Sequence, residues 1–244
     1  MRLWAMQNAM PTLTRPTILY GWPLMLYSGP TTPGTFTGIP SHMAQSLPRT
    51  HNAEQTRKRL LTAAYEDMCK NGFYATKVDE IVAKTGLAKG AFYHHFPTKN
   101  ELGYAIIDEI LLVDLRERWV TPLEHAAWPL KTLIEMISVA SACDVDIEYG
   151  CPLTTFSQEL CSKDPEFRKR LNGIYDLWRN TIATALRRAR RVGEITVPIN
   201  ATDTAAFIVA GIEGALNTTK ASGSCATLQS AARGLLTYLK MISR

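Results

Sequence analysis

The sequence is poor in cysteine and histidine and has no long apolar run, and each shortage removes a class of protein. Its five cysteines, Cys69, Cys143, Cys151, Cys161 and Cys225, are scattered, odd in number and never spaced as CxxC. A disulfide framework or zinc knuckle is therefore not expected, and a reducing cytoplasm fits best. No uninterrupted apolar run approaches the roughly 20 residues that a bilayer demands, so no membrane partner is expected. The strings GxGxxG, GxxxxGK, HExxH and GxSxG are all missing, and the five histidines form no recognisable order with Ser or Cys. The expectation is a protein that is not an enzyme and needs no cofactor. Adjacent His94 and His95 would diverge by about 100° on a helix, a poor arrangement for a metal, so no metal site is expected.

Acid is missing from the first part of the chain. Residues 1–48 hold Arg2 and Arg15 and no carboxylate, and residues 49–101 hold nine Lys/Arg against six Asp/Glu, while the remainder is balanced. The net charge of +5 thus sits in the first half. A local basic surplus attracts polyanions, because each phosphate neutralised releases condensed counterions. Nucleic acid is the first partner to consider.

What is present is a helical pattern. Residues 1–48 are too rich in Pro, Gly and Thr for helix or strand to propagate, and prolines interrupt every apolar run that could serve a signal peptide. They read as a disordered N-terminal extension, with a start at Met43 as an alternative. Beyond residue 50, Leu60, Leu61, Ala64, Tyr65 and Met68 form one apolar stripe on a helix ending at Asn71-Gly72. Thr76 and Asp79 have the spacing of a capping box opening a second helix, in which Val78, Ile81 and Val82 face inward until Gly86. A third helix runs through AKGAFYHHF, and Thr98 with Glu101 opens a fourth. Further helices are expected near 102–118, 130–146, 152–161, 165–191, 201–221 and 226–242, with punctuation at Pro122, Pro129, Gly150, Pro165, Gly193, Pro198 and Ser222-Gly223-Ser224. No segment alternates with period two. The fold class is all-α: an N-terminal three-helix bundle with a helix-turn-helix over 49–100, then a helical effector-binding and dimerisation domain over 101–244.

Two short helices joined by a Gly-containing turn outline a helix-turn-helix, whose second helix enters the major groove. On a helical wheel Ala88, Phe92 and Phe96 fall within about 80° and point inward, whereas Lys89, Gly90, Tyr93 and His94 point outward. That outward face suits a reader of double-stranded DNA: a cation, flat donors, and a glycine that lets the backbone approach. Thr76 at a helix start offers a hydroxyl and free amides to a phosphate, and Lys77 and Lys99 bracket the unit.

Within residues 54–102 the stretch TRKRLLTAAYEDMCKNGFYATKVDEIVAKTGLAKGAFYHHFPTKNEL resembles, almost position by position, the DNA-binding domain of the TetR family of bacterial transcriptional regulators. Its markers are Gly72-Phe73, Thr76, Ile81-Val82, Gly86-Leu87, Lys89-Gly90, Phe92-Tyr93, His95-Phe96 and Lys99. The resemblance implies DNA contacts by Thr76, Lys89, Gly90, Tyr93, His95 and Lys99, with Ala91 and His94 tuning the operator sequence. It also implies a homodimeric repressor, released from a palindromic operator by a small apolar or electrophilic effector. The contrasting class is a ligand-independent architectural DNA binder.

The C-terminal half is similar to the family's sensing and dimerisation half. Phe207, Ile208, Ala210, Gly211, Ala215, Leu228, Leu235, Leu236 and Leu239 offer two apolar stripes for a four-helix interface between two copies. Trp128, Phe156, Trp178 and Phe207 are the aromatic candidates for an effector pocket. Cys151, between Gly150 and Pro152 at a helix start, is a candidate redox sensor, because amide dipoles there favour thiolate, with Cys161 as the resolving partner. GCPLTTFSQELCSKDPEFRKRL resembles a subgroup that includes regulators of electrophile-responsive reductases, some of which sense through a cysteine. The run Arg187, Arg188, Arg190 and Arg191 reads as a solvated helix face offset by Glu194.

Overall fold

The computed structural model describes residues 49–142 and 150–243. The expected N-terminal extension, residues 1–48, and the last residues of the helix expected over 130–146 lie outside them. Among the described residues there is no β-strand beyond an isolated bridge between Ile195 and Ser243. The all-α expectation holds.

Helix α1 (Arg49–Asn71) forms because its stripe can be buried: Leu60, Leu61, Ala64, Tyr65 and Met68 are all in the core. Gly72, at φ +86°, turns the chain out of it. Helix α2 (Val78–Thr85) stops at Gly86 in the left-handed region, and α3 (Lys89–His95) follows after a short turn. Asp67, buried on α1, holds α2 through the Lys84 ammonium, and the Arg59 guanidinium donates to the Thr85 carbonyl at 2.6 Å.

Helix α4 (Lys99–Ile106) opens on the expected cap, Thr98 accepting from the Glu101 N–H at 3.1 Å. It continues through a π turn (Ile107–Leu111), α5 (Leu112–Leu115), a second π turn (Arg116–Val120) and α6 (Thr121–His125) as one helical rod. The rod passes Pro122 instead of stopping before it. Pro122 stands at the second residue of α6, directly after the π turn.

Five further helices complete the body: α7 (Pro129–Ala140), α8 (Pro152–Leu160), α9 (Pro165–Arg191), α10 (Ala201–Ser222) and α11 (Cys225–Ile242). Asp164, Asn200 and Ser224 cap the last three through their side chains. Helix α9 is the spine, in contact with α10, α8, α7, α6 and the π turns, and α11 closes over α10. The core runs unbroken from Leu60, Phe73 and Phe92 in the head to Trp178, Ile208 and Leu239 in the body.

The arginine run is not a uniformly solvated face. Arg188 is half-buried and donates to the carbonyls of Leu123 at 2.9 Å, Glu124 at 3.0 Å and Ala126, closing the C-terminal end of α6. Glu194 does not offset the arginines but accepts from the N–H groups of Leu130 and Lys131 at the start of α7. Cys225 is disulfide-bonded, a bond that the scattered cysteine spacing gave no reason to expect.

Candidate nucleic-acid interface

The interface is built from the core outward. Phe92 of α3 and Phe96, the residue that caps its C-terminus, are buried, at 0% and 1% exposure, and their rings stand 5.9 Å apart. The opposite face is thereby turned to solvent: Lys89, Gly90, Tyr93 and His94 are exposed, and Ala91 and His95 are half-buried beside them. Tyr93 packs its ring edge-on against Phe92 at 5.2 Å, so the exposed phenol is held from behind. Ala88 departs from the expected inward stripe and is exposed. It is the N-cap of α3, one residue outside the helix, so wheel geometry does not apply to it.

A Cβ added to Gly90 would meet nothing within 4 Å. The glycine leaves open space on the outer face, as close approach of a nucleic-acid backbone requires. Lys89 pairs with Asp79 at 2.7 Å and Lys77 with Glu80 at 3.4 Å, so both exposed cations lie beside carboxylates of α2. Donating a hydrogen bond to the Asp79 carboxylate holds the Lys89 ammonium pKa above its usual value. His95 is held below the ordinary imidazole value by burial and by the neighbouring His94 and Arg57.

Thr76 and Lys99 are placed differently from the expectation. Thr76 is buried, and its hydroxyl donates to the Gly72 carbonyl at 2.9 Å, so the Thr76–Asp79 capping box does not form and no hydroxyl is offered to a phosphate. Helix α2 opens behind Lys77 without a side-chain cap. The Lys99 ammonium donates to the carbonyls of Thr76 and of Tyr74 (3.3 Å) and lies 4.8 Å from the centroid of the Phe73 ring. Burial lowers its pKa. Both residues shape the turn before α2 rather than the outer face.

That turn is also gripped from the body, which sequence reasoning missed. The Glu159 carboxylate of α8 accepts from the N–H groups of Phe73 at 2.7 Å and Tyr74 at 2.8 Å. The Phe73 ring meets Phe167 edge-on at 5.2 Å, and Tyr104 stacks on Phe167 at 4.6 Å while donating to Asp164 at 2.9 Å. Arg57 completes the junction, pairing with Glu109 and covering the Phe96 ring at 4.8 Å. No local pattern signals these contacts, because the partners lie 39 to 94 residues apart.

The expected sensing residues are divided. Phe156 and Trp178 are core, Trp178 lying 5.0 Å from Trp119 with its indole N–H buried and unpaired, whereas Trp128 and Phe207 are more than half exposed. None of the four lines a partly open apolar cavity of about 30 Å³ bordered, among the described residues, by Trp119, Ile137, Ile212, Leu216, Leu228 and Leu235. That volume admits about one water.

Cys151 caps α8, but its thiol is not a poised thiolate: burial and then the negative Glu213 push its pKa well above the ordinary value. The helix-end effect is outweighed. Cys161 lies at the far end of α8, about 15 Å along the axis at 1.5 Å per residue, too far to resolve Cys151. The redox-pair expectation is corrected accordingly. The stripes on α10 and α11 also divide: Ile208, Ala215, Leu228, Leu235 and Leu239 are buried within the chain, while Phe207 and Ala210 remain outside and Gly211 and Leu236 are half-buried.

Two family models match the chain: bacterial regulatory proteins of the tetR family over residues 60–106, and the tetracyclin repressor-like C-terminal domain over residues 129–235. An HTH-type transcriptional regulator of Lactococcus lactis subsp. lactis is 30% identical over 138 residues, 56% of this chain and 70% of the relative. The transcriptional regulator AcuR of Cereibacter sphaeroides is 26% identical over 181 residues, 73% of this chain and 83% of its own. A solved TetR transcriptional regulator from Chloroflexus aurantiacus superposes with a TM-score of 0.71 at 29% identity, covering 80% of this chain and 98% of that one. With the helix-turn-helix presented as described, the chain belongs to the TetR family of bacterial transcriptional regulators.

Proposed function

We propose that the protein is a homodimeric repressor that binds a palindromic operator through α3 and leaves it when a small effector occupies the body. It acts in the cytoplasm on double-stranded DNA and has a regulatory, not a catalytic, role. The observation that carries this reading is the two-sidedness of α3: Phe92 and Phe96 anchor it, and Lys89, Gly90, Tyr93 and His94 are exposed on the opposite face, where a groove can meet them. Ala91 and His95 flank that face, with Lys77 adding charge. Thr76 and Lys99 contribute by holding the turn.

A single seven-residue helix buries little surface against DNA, and two copies on a twofold axis double the contacts. The exposed strip Phe207, Ala210 and Gly214 on α10, with Gly234 and Met241 on α11, provides a self-complementary face. Added Cβ atoms at Gly214 and Gly234 would meet nothing, so a second pair of helices can approach closely there. Effector binding changes the separation of the two heads by shifting α4, and it does so only if one spacing binds the effector better.

In this reading residues 49–100 are the DNA-binding head and 101–244 the effector and dimerisation body. The test is selection of bound sequences from random duplex DNA, with and without candidate effectors. Symmetric half-sites about one helical turn apart, lost on adding effector, support the reading. Asymmetric or unselective binding defeats it. The alternative reading is a ligand-independent architectural DNA binder. Operator release by any small molecule in a gel-shift titration separates the two.

A further inference from the structure

Away from the apolar cavity, three helices bring polar groups together around one carboxylate. Glu213 of α10 accepts from the Thr154 hydroxyl through Oε2 and from the Cys151 thiol, 3.3 Å away, through Oε1; both donors stand at the start of α8. The Tyr175 hydroxyl of α9 lies 3.5 Å from the Thr154 oxygen, a long contact that leaves it weakly held. All four residues are half-buried, so the cluster is sheltered yet reachable from solvent.

None of the ion pairs among the described residues includes Glu213. A sheltered carboxylate without a counter-ion is unfavourable, and a thiol is a weak donor that compensates little. Burial accordingly pushes the Glu213 carboxyl up to about 7. What the cluster lacks, among the described residues, is positive charge. A metal ion does not fit, because no three His, Cys, Asp or Glu side chains among the described residues come together to hold one. An organic cation does: the carboxylate takes the charge, and the Thr154 and Tyr175 hydroxyls take its N–H groups or polar substituents.

We propose that Glu213, Thr154, Tyr175 and Cys151 form the recognition site for the effector, and that the effector is a small organic cation, a protonated amine or quaternary ammonium ion. This rests on the effector-responsive reading above and replaces its apolar or electrophilic ligand with a charged one. The site's position supplies a route to the head. Helix α8 carries Thr154 near its start and Glu159 near its end, and Glu159 grips the turn before α2. A cation that draws Glu213 away from Thr154 changes the seat of the helix that holds that turn.

The test uses benzylammonium and its neutral counterpart benzyl alcohol, titrated calorimetrically into the purified full-length protein without DNA, followed by operator release with each. Benzylammonium is expected to bind at least about tenfold more tightly than the alcohol, a difference of about 1.4 kcal/mol, and Glu213→Gln to erase the difference. Thr154→Val should weaken the cation in the same direction. Equal affinity for the two probes, no binding of the cation, or a preference that survives Glu213→Gln overturns the proposal. The probe comparison in the unaltered protein stands even where a variant fails to fold. Cation binding without DNA release would leave the site standing and remove the effector reading. Release by neutral compounds, unaffected by Glu213→Gln, would do the reverse.

Discussion

The Glu159 carboxylate on α8 accepts the backbone N–H groups of Phe73 and Tyr74, so the C-terminal body holds the turn that leads into the helix-turn-helix. The bond is bidentate and charge-assisted, and a Cβ on Gly72 would lie only 3.0 Å from Glu159 Oε2. Glu159→Gln preserves shape but turns an NH₂ toward one of the two donors. Loss of about 1–3 kcal/mol is expected, together with faster amide exchange at Phe73 and Tyr74. Unchanged exchange at those two amides would show that the turn does not depend on this grip.

Gly103 on α4 has no room for a side chain. An added Cβ would sit 2.7 Å from Phe73 and 2.8 Å from Phe167, two rings packed from opposite halves of the chain. Alanine raises helix propensity by about 1 kcal/mol, but overpacking costs about 1–3 kcal/mol, so Gly103→Ala should be net destabilising. A lowered thermal midpoint checks this; a raised one would mean that the rings yield easily.

Gly90 gives the opposite outcome. With open space around it, Gly90→Ala should leave stability unchanged or raise it by up to about 1 kcal/mol, yet reduce DNA affinity by about tenfold or more. Melting and gel-shift measurements on the same preparation decide the matter. Retained affinity would place the DNA backbone elsewhere.

The two lysines flanking α3 should behave differently in salt. Lys89 is exposed beside Asp79, so Lys89→Ala should reduce the slope of log affinity against log salt by about one, and Asp79→Asn should tighten binding several-fold by removing a competing anion. Lys99→Ala should instead loosen the turn that it bonds, lowering stability. An unaltered slope in Lys89→Ala would remove Lys89 from the phosphate contacts.

Acid should loosen the head through Asp67. Burial alone would raise this carboxyl, but the Lys84 ammonium and the Asn71 amide outweigh it and hold it below the usual value. A depressed carboxyl stabilises the fold above its unfolded value near 3.9, and that contribution is lost as pH falls through the lower folded value. Acid unfolding of the native protein, compared with Asp67→Asn, should show a pH-dependent difference confined to that acid range. Parallel curves would contradict the assignment.

The helices were readable because their signals are local. Leu60, Ala64 and Met68 share a face by period alone, Gly86 adopts the conformation that ends a helix, and Thr98 caps three residues ahead. The two faces of α3 followed from the same geometry. Misreadings arose where a local rule met a distant partner: Thr76 has the right spacing for a capping box, but its turn is bound by Glu159 and Lys99 and carries the hydroxyl inward. Cys151 begins a helix as expected, but burial and then Glu213, 62 residues on, outweigh the helix-end effect.

By itself the chain determined its helices, its basic head and the outward face near residue 90, since backbone propensity, period and charge act over a few residues. Tertiary structure alone decided which aromatics are core, which residues of the α10 and α11 stripes stay exposed, and how the body grips the head. Those outcomes depend on burial and on pairs such as Glu159 with Phe73 and Glu213 with Cys151, which form only when helices far apart in sequence pack together.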